Sequence, residues 1–327
     1  MAVPALATSG CGRQARGRLL WEQVLAWDTG VTRGQLSDGR PVGPLAVAAG
    51  ADTVALADTF SRRVLVWRRG GRGFEGPAAV SLPAASGVTD VALTAGTRAV
   101  YGFAADGDGT VWRWPHGGAP AVWTRLGPAA DELQVVSGLA VTAGGVPVAD
   151  LTTVTRHEAS RRLLNLSRPA PETIASASIA RAVRDGSPTP SWLLPPTGAR
   201  RSLAGGDRGV WVLGRHADGT GAVLAEVSLQ GRVLTRRPFP SLGGPLDLLG
   251  VHGGRAYALA ATGTARARVV AVDRHGRVAS DWYLKGGGNA GVPELPHPAA
   301  LGPSGEILVL SAETEGVRLR LFSSLPV

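Results

Sequence analysis

The chain is poor in several residue types at once, and each scarcity removes a class of protein. Lys285 is the only lysine among 34 basic residues, Cys11 is the one cysteine, and Asn165 and Asn289 are the only asparagines. A single cysteine excludes a disulfide framework and any CxxC redox or zinc pair. Charged residues make up only 18% of the chain, which with plentiful glycine and proline argues against a coiled coil or wholesale disorder. No apolar run approaches the roughly 20 residues of a membrane-spanning helix. Neither a nucleophile elbow nor a glycine-rich phosphate cradle is present.

What remains is a chain of 327 residues with 46 glycines and 23 prolines, a composition suited to many short strands joined by tight turns. The net charge of +9 is carried by arginines spread as singles and pairs, such as Arg62 and Arg63, Arg161 and Arg162, Arg200 and Arg201, Arg236 and Arg237. Nucleic-acid binding needs a clustered basic footprint, so no nucleic-acid partner is expected. An anionic envelope polymer or lipid headgroup stays compatible with the charge.

Residues 44–68, PLAVAAGADTVALADTFSRRVLVWR, organise everything else. They read as three antiparallel strands in succession: an apolar run up to a turn at Gly50 to Asp52, a second run over Thr53 to Ala57, a polar turn, and a third run, Val64 to Trp67, rich in β-branched and aromatic residues. The second run recurs at Ala99 to Ala104, Gly145 to Ala149, Val210 to Gly214, Ala256 to Ala260 and Ile307 to Ser311. The spacing is about 45 to 50 residues, with one step of about 64, the period of four-stranded propeller blades. Fourth strands are expected at Ala121 to Leu126, Ser191 to Leu194, Gly231 to Phe239 and Gly276 to Leu284. The fold class is therefore all-β: a six-bladed β-propeller of four-stranded antiparallel blades.

The last repeat stops after three strands, because only SSLPV follows Phe322. Residues 18–27, RLLWEQVLAW, form a strand-like run with no local partner. Pairing the two removes two bare edges, so the ring should close with Leu20 beside Arg320. Packing residues 18–27 outside as a short helix is the competing arrangement. Residues 1–17 are read as a signal remnant and linker, and 18–327 as one propeller domain.

Two resemblances come from specific residues. At 57–67, ADTFSRRVLVW, residues Asp58, Thr59, Arg63 and Val64 match the NHL repeat, with Ser61 in place of its asparagine; Ala149, Asp150, Arg162 and Leu163 echo it in the third blade. The resemblance implies that Asp58 ties down its turn with Arg63 packed nearby. ALATSGCG, residues 5–12, resembles the end of a bacterial lipoprotein signal, which implies lipidation at Cys11, although only ten residues precede it and Thr8 stands where leucine is usual. It further implies an extracytoplasmic domain held at the membrane only by that lipid, whereas an accidental motif leaves the chain cytoplasmic.

Propeller sites usually lie on the face carrying the turns from second to third strand and the blade-to-blade connections. There, Asp28 to Gly43, Asp150 to Ser160 and Lys285 to His297 are expected to wall a cleft. The candidate binding residues on that face are His297, Glu294, Asn289, His157, Glu158 and Asp58. His297, just before an inner strand, resembles the channel-facing ligands of NHL-like lyases, but neighbouring blades offer no histidines to join it, and a metal needs several converging ligands. Two asparagines make a poor set for a lactonase-type calcium site. The sequence thus favours a non-enzymatic propeller, expected to be monomeric, that binds a protein or cell-envelope component through its loop face. The alternative is a lyase or lactonase using a divalent metal near the channel mouth; no cofactor signature selects it.

Overall fold

The computed structural model describes residues 18–35, 41–44, 46–71, 73–83, 85–94, 102–115, 118–126, 133–156, 158–178, 191–194, 201–215, 221–240, 242, 246–261, 267–284, 298–313 and 315–323. Six four-stranded antiparallel sheets stand side by side. Blade 1 comprises Ala46–Ala49, Thr53–Asp58, Arg63–Gly70 and Gly73–Ser81; blade 2 comprises Val88–Leu93, Gly102–Asp106, Thr110–Trp114 and Ala121–Arg125. Blade 3 comprises Leu133–Val141, Pro147–Val154, Ala159–Asn165 and Glu172–Ser178; blade 4 comprises Leu203–Gly205, Val210–Arg215, Ala222–Val227 and Val233–Phe239. Blade 5 comprises Leu246–His252, Arg255–Ala261, Ala267–Val272 and Val278–Leu284. Blade 6 takes Ala299–Leu301, Ile307–Ala312 and Gly316–Phe322 from the end of the chain and its outer strand, Leu19–Ala26, from the beginning.

The closing pair runs in register from Leu19 opposite Phe322 to Ala26 opposite Gly316, with an irregularity between Leu19 and Trp21 that leaves Trp21, not Leu20, opposite Leu321. Arg18 and Ser323 complete the seam: the Ser323 amide donates to the Arg18 carbonyl at 2.8 Å and the Arg18 amide to Ser323 Oγ at 2.9 Å.

Burial falls from the axis outward. All six residues of the second strands of blades 1 and 6 and of the third strand of blade 4 are buried, whereas the outer strand Gly73–Ser81 is largely exposed. A second strand is covered on both sides by neighbouring blades, so it reads as a continuous apolar run, and its alternation sorts residues between two interfaces. In blade 1, Val54 and Leu56 face blade 6 while Ala55 and Ala57 face blade 2. The small alanines meet large partners, Trp112 and Trp114. An apolar cluster of this kind fills each of the six blade interfaces, including the one that closes the ring.

Several expected boundaries move. The second strand of blade 2 is Gly102–Asp106 and that of blade 3 is Pro147–Val154, so Asp150 to Ser160 is mostly strand with a short turn at its tip. The outer strand of blade 3 is Glu172–Ser178, whereas Ser191–Leu193 is a 3₁₀ turn. Trp192 and Leu193 are buried there between blades 3 and 4, and the Arg215 amide donates to the Leu194 carbonyl at 2.8 Å. Within 28–43 a two-residue ribbon pairs Gly34 with Val42 and Gln35 with Pro41.

Candidate functional site

The meander gives the disc two unlike faces. One, the loop face, carries the turns from second to third strand and the blade connections; the other, the hairpin face, carries the turns from first to second and from third to fourth strand, and also the Arg18–Ser323 seam.

On the loop face, buried aspartates end or approach the end of the second strand in blades 1 to 3. Asp58 has no exposed surface; its Oδ2 accepts from Arg63 Nε at 2.8 Å and its Oδ1 from the Thr32 amide at 3.3 Å. Arg63 also donates through Nη2 to the Gly30 carbonyl at 3.0 Å. Asp58 therefore clamps the segment entering blade 1 and has both oxygens engaged, which does not fit a metal ligand. Asp106 accepts from the amides of Asp108 and Thr110 at 3.1 and 2.9 Å and from Trp112 Nε1 at 3.1 Å, the work of a turn-fixing carboxylate. Asp150 pairs with Arg161, not Arg162: the separations are 2.8 Å from Nε and 2.5 Å from Nη2. The strand runs on to Val154, which enlarges the turn and puts Arg161 on the side of Asp150. Arg161 also reaches the Leu193 carbonyl and Ser202 Oγ, joining blade 3 to blade 4.

Nearer the axis, a relay links four consecutive blades. Asp90 Oδ2 of blade 2 accepts from the Leu139 amide of blade 3 at 2.6 Å. The Leu139 carbonyl accepts from Arg201 Nη2 at 2.9 Å. The Arg201 amide, at the entry to blade 4, donates to Asp247 Oδ1 of blade 5 at 2.9 Å.

Below this relay lies a central cavity of about 470 Å³ to which all six blades contribute. Its wall is built from small residues of the inner strands, among them Ala48, Ala92, Ala140, Ala204 and Ala300, with Leu249 from blade 5. Gly205 permits the close approach of blades 3 and 4, since a Cβ there would stand 1.9 Å from the Val141 carbonyl oxygen. Arg201 also lines the cavity, and Trp211, Glu226, Arg208 and His252 lie toward the hairpin face. Arg208 is ion-paired with the buried Glu226.

Of the residues expected from sequence, His297, Glu294, Asn289, His157 and Cys11 lie outside the described residues. Asp58 and Glu158 are both on the loop face and neither lines the cavity. Glu158 sits in an exposed turn at the tip of blade 3, where its amide donates to Thr155 Oγ1 at 2.9 Å and its carbonyl accepts from the Thr155 amide at 2.8 Å. Below this tip the first two strands carry apolar side chains into solvent: Leu133, paired with Val154, is 64% exposed, Val135 45% and Val154 41%. Among the described residues no group of three His, Cys, Asp or Glu is placed to hold a metal ion.

No protein-family model matches the chain, and no curated protein matches it. Among solved structures it is similar to a chain in the crystal structure of a nidogen/laminin complex, at 13% identity and TM-score 0.43 over 74% of this chain and 81% of that one. It is also similar to the WD40 domain of coronin from Toxoplasma gondii, at 12% identity and TM-score 0.44 over 95% and 89%, and to the Dos1 propeller, at 13% and 0.36 over 88% and 69%. At such identities the likeness concerns fold alone. The chain is a six-bladed β-propeller, a class defined here by its six sheets and the seam that closes them.

Proposed function

We propose that this protein is a non-enzymatic, extracytoplasmic propeller that docks a protein partner on its loop face, around the tip of blade 3. The observation that carries the reading is the flange of Leu133, Val135 and Val154. Its strands rise past the buried part of the blade and keep three large aliphatic side chains together in water, whereas scattered single apolar residues would need no explanation. Glu158 and Arg156 at the exposed tip give this patch the polar rim that binding surfaces use. The NHL-like clamp at Asp58 serves the scaffold.

The seam supports an orientation. Cys11 precedes Arg18 by seven residues, a reach of at most about 25 Å at roughly 3.5 Å per residue, and Arg18 lies on the hairpin face. A lipid at Cys11 would hold that face toward the membrane and turn the flange away from it. The docking test places a photo-crosslinking residue at Leu133 in the native host, with Val278 as an exposed control elsewhere. The expected outcome is one discrete adduct from Leu133, lost in the Val135→Glu/Val154→Glu background; equal labelling from both positions would refute docking at the flange. Mass spectrometry of the mature N-terminus tests the location: a diacylglyceryl group on Cys11 is expected, and an intact Met1 would remove the anchor.

A further inference from the structure

Arg201 brings to the lining of the central cavity a cation that, among the described residues, no carboxylate bonds. Arg201 is only 8% exposed. Its Nη2 donates to the Leu139 carbonyl at 2.9 Å, while its Nε is shut off from solvent with no hydrogen-bond partner. Among the described residues its guanidinium has no ion-pair partner. Asp247 receives the backbone amide of Arg201 rather than its guanidinium. The comparison is Arg161, which is more deeply buried, at 1% exposed, and holds Asp150 at 2.5 Å. A buried charge left unpaired is among the costliest features a fold can keep, and a buried donor without an acceptor calls for a specific cause. Elsewhere in the lining Arg208 is matched by Glu226 and has the Asp207 carboxylate nearby, so among the described residues Arg201 is the lining arginine without a bonded carboxylate.

We propose that the cavity is a binding site for a small molecule with one oxyanion, carboxylate or phosphate, seated on Arg201, and a short apolar body lying against the alanine wall. The volume is that of a small-molecule pocket. The guanidinium supplies directed donors suited to either oxyanion, and Ala48, Ala92, Ala140, Ala204 and Ala300 supply the apolar part of the wall. This site is separate from the flange, and its occupancy is independent of the docking reading.

The test is thermal unfolding of the full chain with hexanoate, hexyl phosphate or 1-hexanol, for the wild type, Arg201→Met and Ala300→Leu. At ligand about tenfold above its Kd, hexanoate or hexyl phosphate should raise the melting temperature of the wild type by about 2 °C, and the better of the two identifies the head group. Hexanol should give no rise. Arg201→Met should abolish the response to both anions while losing, without ligand, no more than the hydrogen bond to the Leu139 carbonyl, a fall of at most about 2 °C, whereas an arginine with a purely structural role would cost as much as Arg161→Met. Ala300→Leu keeps Arg201 but shortens the space for the apolar body, and should also lose the response. No rise with either anion, an equal rise with hexanol, or a rise that survives in Arg201→Met would overturn the proposal. Should Arg201→Met fail to fold, a full response in Ala300→Leu would overturn it instead.

Discussion

Ring closure by the first strand makes a quantitative demand on Leu25. This residue is 7% exposed and belongs to the cluster that joins blade 6 to blade 1, with Val31, Val317 and Leu319; opposite it in the ladder stands Val317. Leu25→Ala removes most of a buried side chain and leaves a cavity, at a cost of about 3 kcal/mol within a range of about 2–5. Unfolding entropy of about 2.1 cal/mol/K per residue, taken over a ring of this size, comes to roughly 0.7 kcal/mol/K. The melting temperature should therefore fall by about 4 °C. Val24 is the internal control: it lies on the opposite face of the same strand and is 44% exposed, so Val24→Ala should cost under about 0.5 kcal/mol and move the midpoint by less than about 1 °C. Calorimetry or circular dichroism under reversible conditions reads both. Equal shifts for the two variants, or a shift under about 1 °C for Leu25→Ala, would mean that the first strand does not complete the core of blade 6.

Three further perturbations probe the remaining joints. Arg161→Met strands Asp150, which is 1% exposed, without its cation and should cost about 3–5 kcal/mol; the Asp150→Ala/Arg161→Met double variant should recover part of this, and strictly additive losses in urea titrations would contradict the pairing. Glu22 and Glu313 are held below the ordinary value of 4.5, Glu22 chiefly by the hydrogen bond from Arg320 and Glu313 chiefly by that from Arg318. Because the folded-state values are the lower ones, this contribution is complete above pH 4.5 and fades as pH falls through the depressed values. Urea midpoints should drop on acidification more in the wild type than in Glu22→Gln/Glu313→Gln, and parallel pH profiles would remove the seam carboxylates from the account. Gly205→Ala should destabilise by about 1–3 kcal/mol, because its new Cβ meets the backbone carbonyl of Val141, whereas Gly221→Ala, with nothing within 4 Å, should be close to neutral; similar midpoints for the two would refute the contact.

The ring was legible because each blade has to repeat the same solution. Thr53–Asp58, Val210–Arg215 and Ile307–Ala312 are covered on both sides, and that coverage shows in the sequence as a continuous apolar run returning at the blade period. The missing outer strand of blade 6 was legible for a topological reason, since three strands at one terminus and one at the other add up to a blade. The outer strand of blade 3 was not. Glu172–Ser178, ETIASAS, is mostly polar and buries little beyond Ile174 and Ala177, while SWLL at 191–194 has the composition of a strand but packs as a short turn between blades. Asp150 was visible as a repeat of Asp58, but the choice between Arg161 and Arg162 depended on how far the second strand continued, and nothing in the residue types marks that length. Arg201 gave weaker warning still. In sequence it is one of several arginine pairs scattered along a basic chain, and only the approach of the inner strands converts it from a surface charge to a channel charge.

Arg161 and Arg201 together separate two meanings of a buried arginine. Both are at least nine-tenths buried, both sit where blades 3 and 4 meet, and both donate to a backbone carbonyl. They differ in the counter-ion: Arg161 holds the Asp150 carboxylate and Ser202, whereas Arg201, which lines the cavity, holds no carboxylate among the described residues. If burial alone made an arginine structural, methionine would be equally damaging at either position. If the counter-ion decides, Arg161→Met breaks a matched pair and leaves an anion stranded, while Arg201→Met removes an unmatched charge and loses only the hydrogen bond to the Leu139 carbonyl, so stability falls steeply in the first and little in the second. The two variants carry the same chemical change in the same region of one protein, so differences in side-chain entropy and solvent largely cancel between them. What remains is the effect of one counter-ion, the Asp150 carboxylate bonded to Arg161 and matched by none bonded to Arg201 among the described residues.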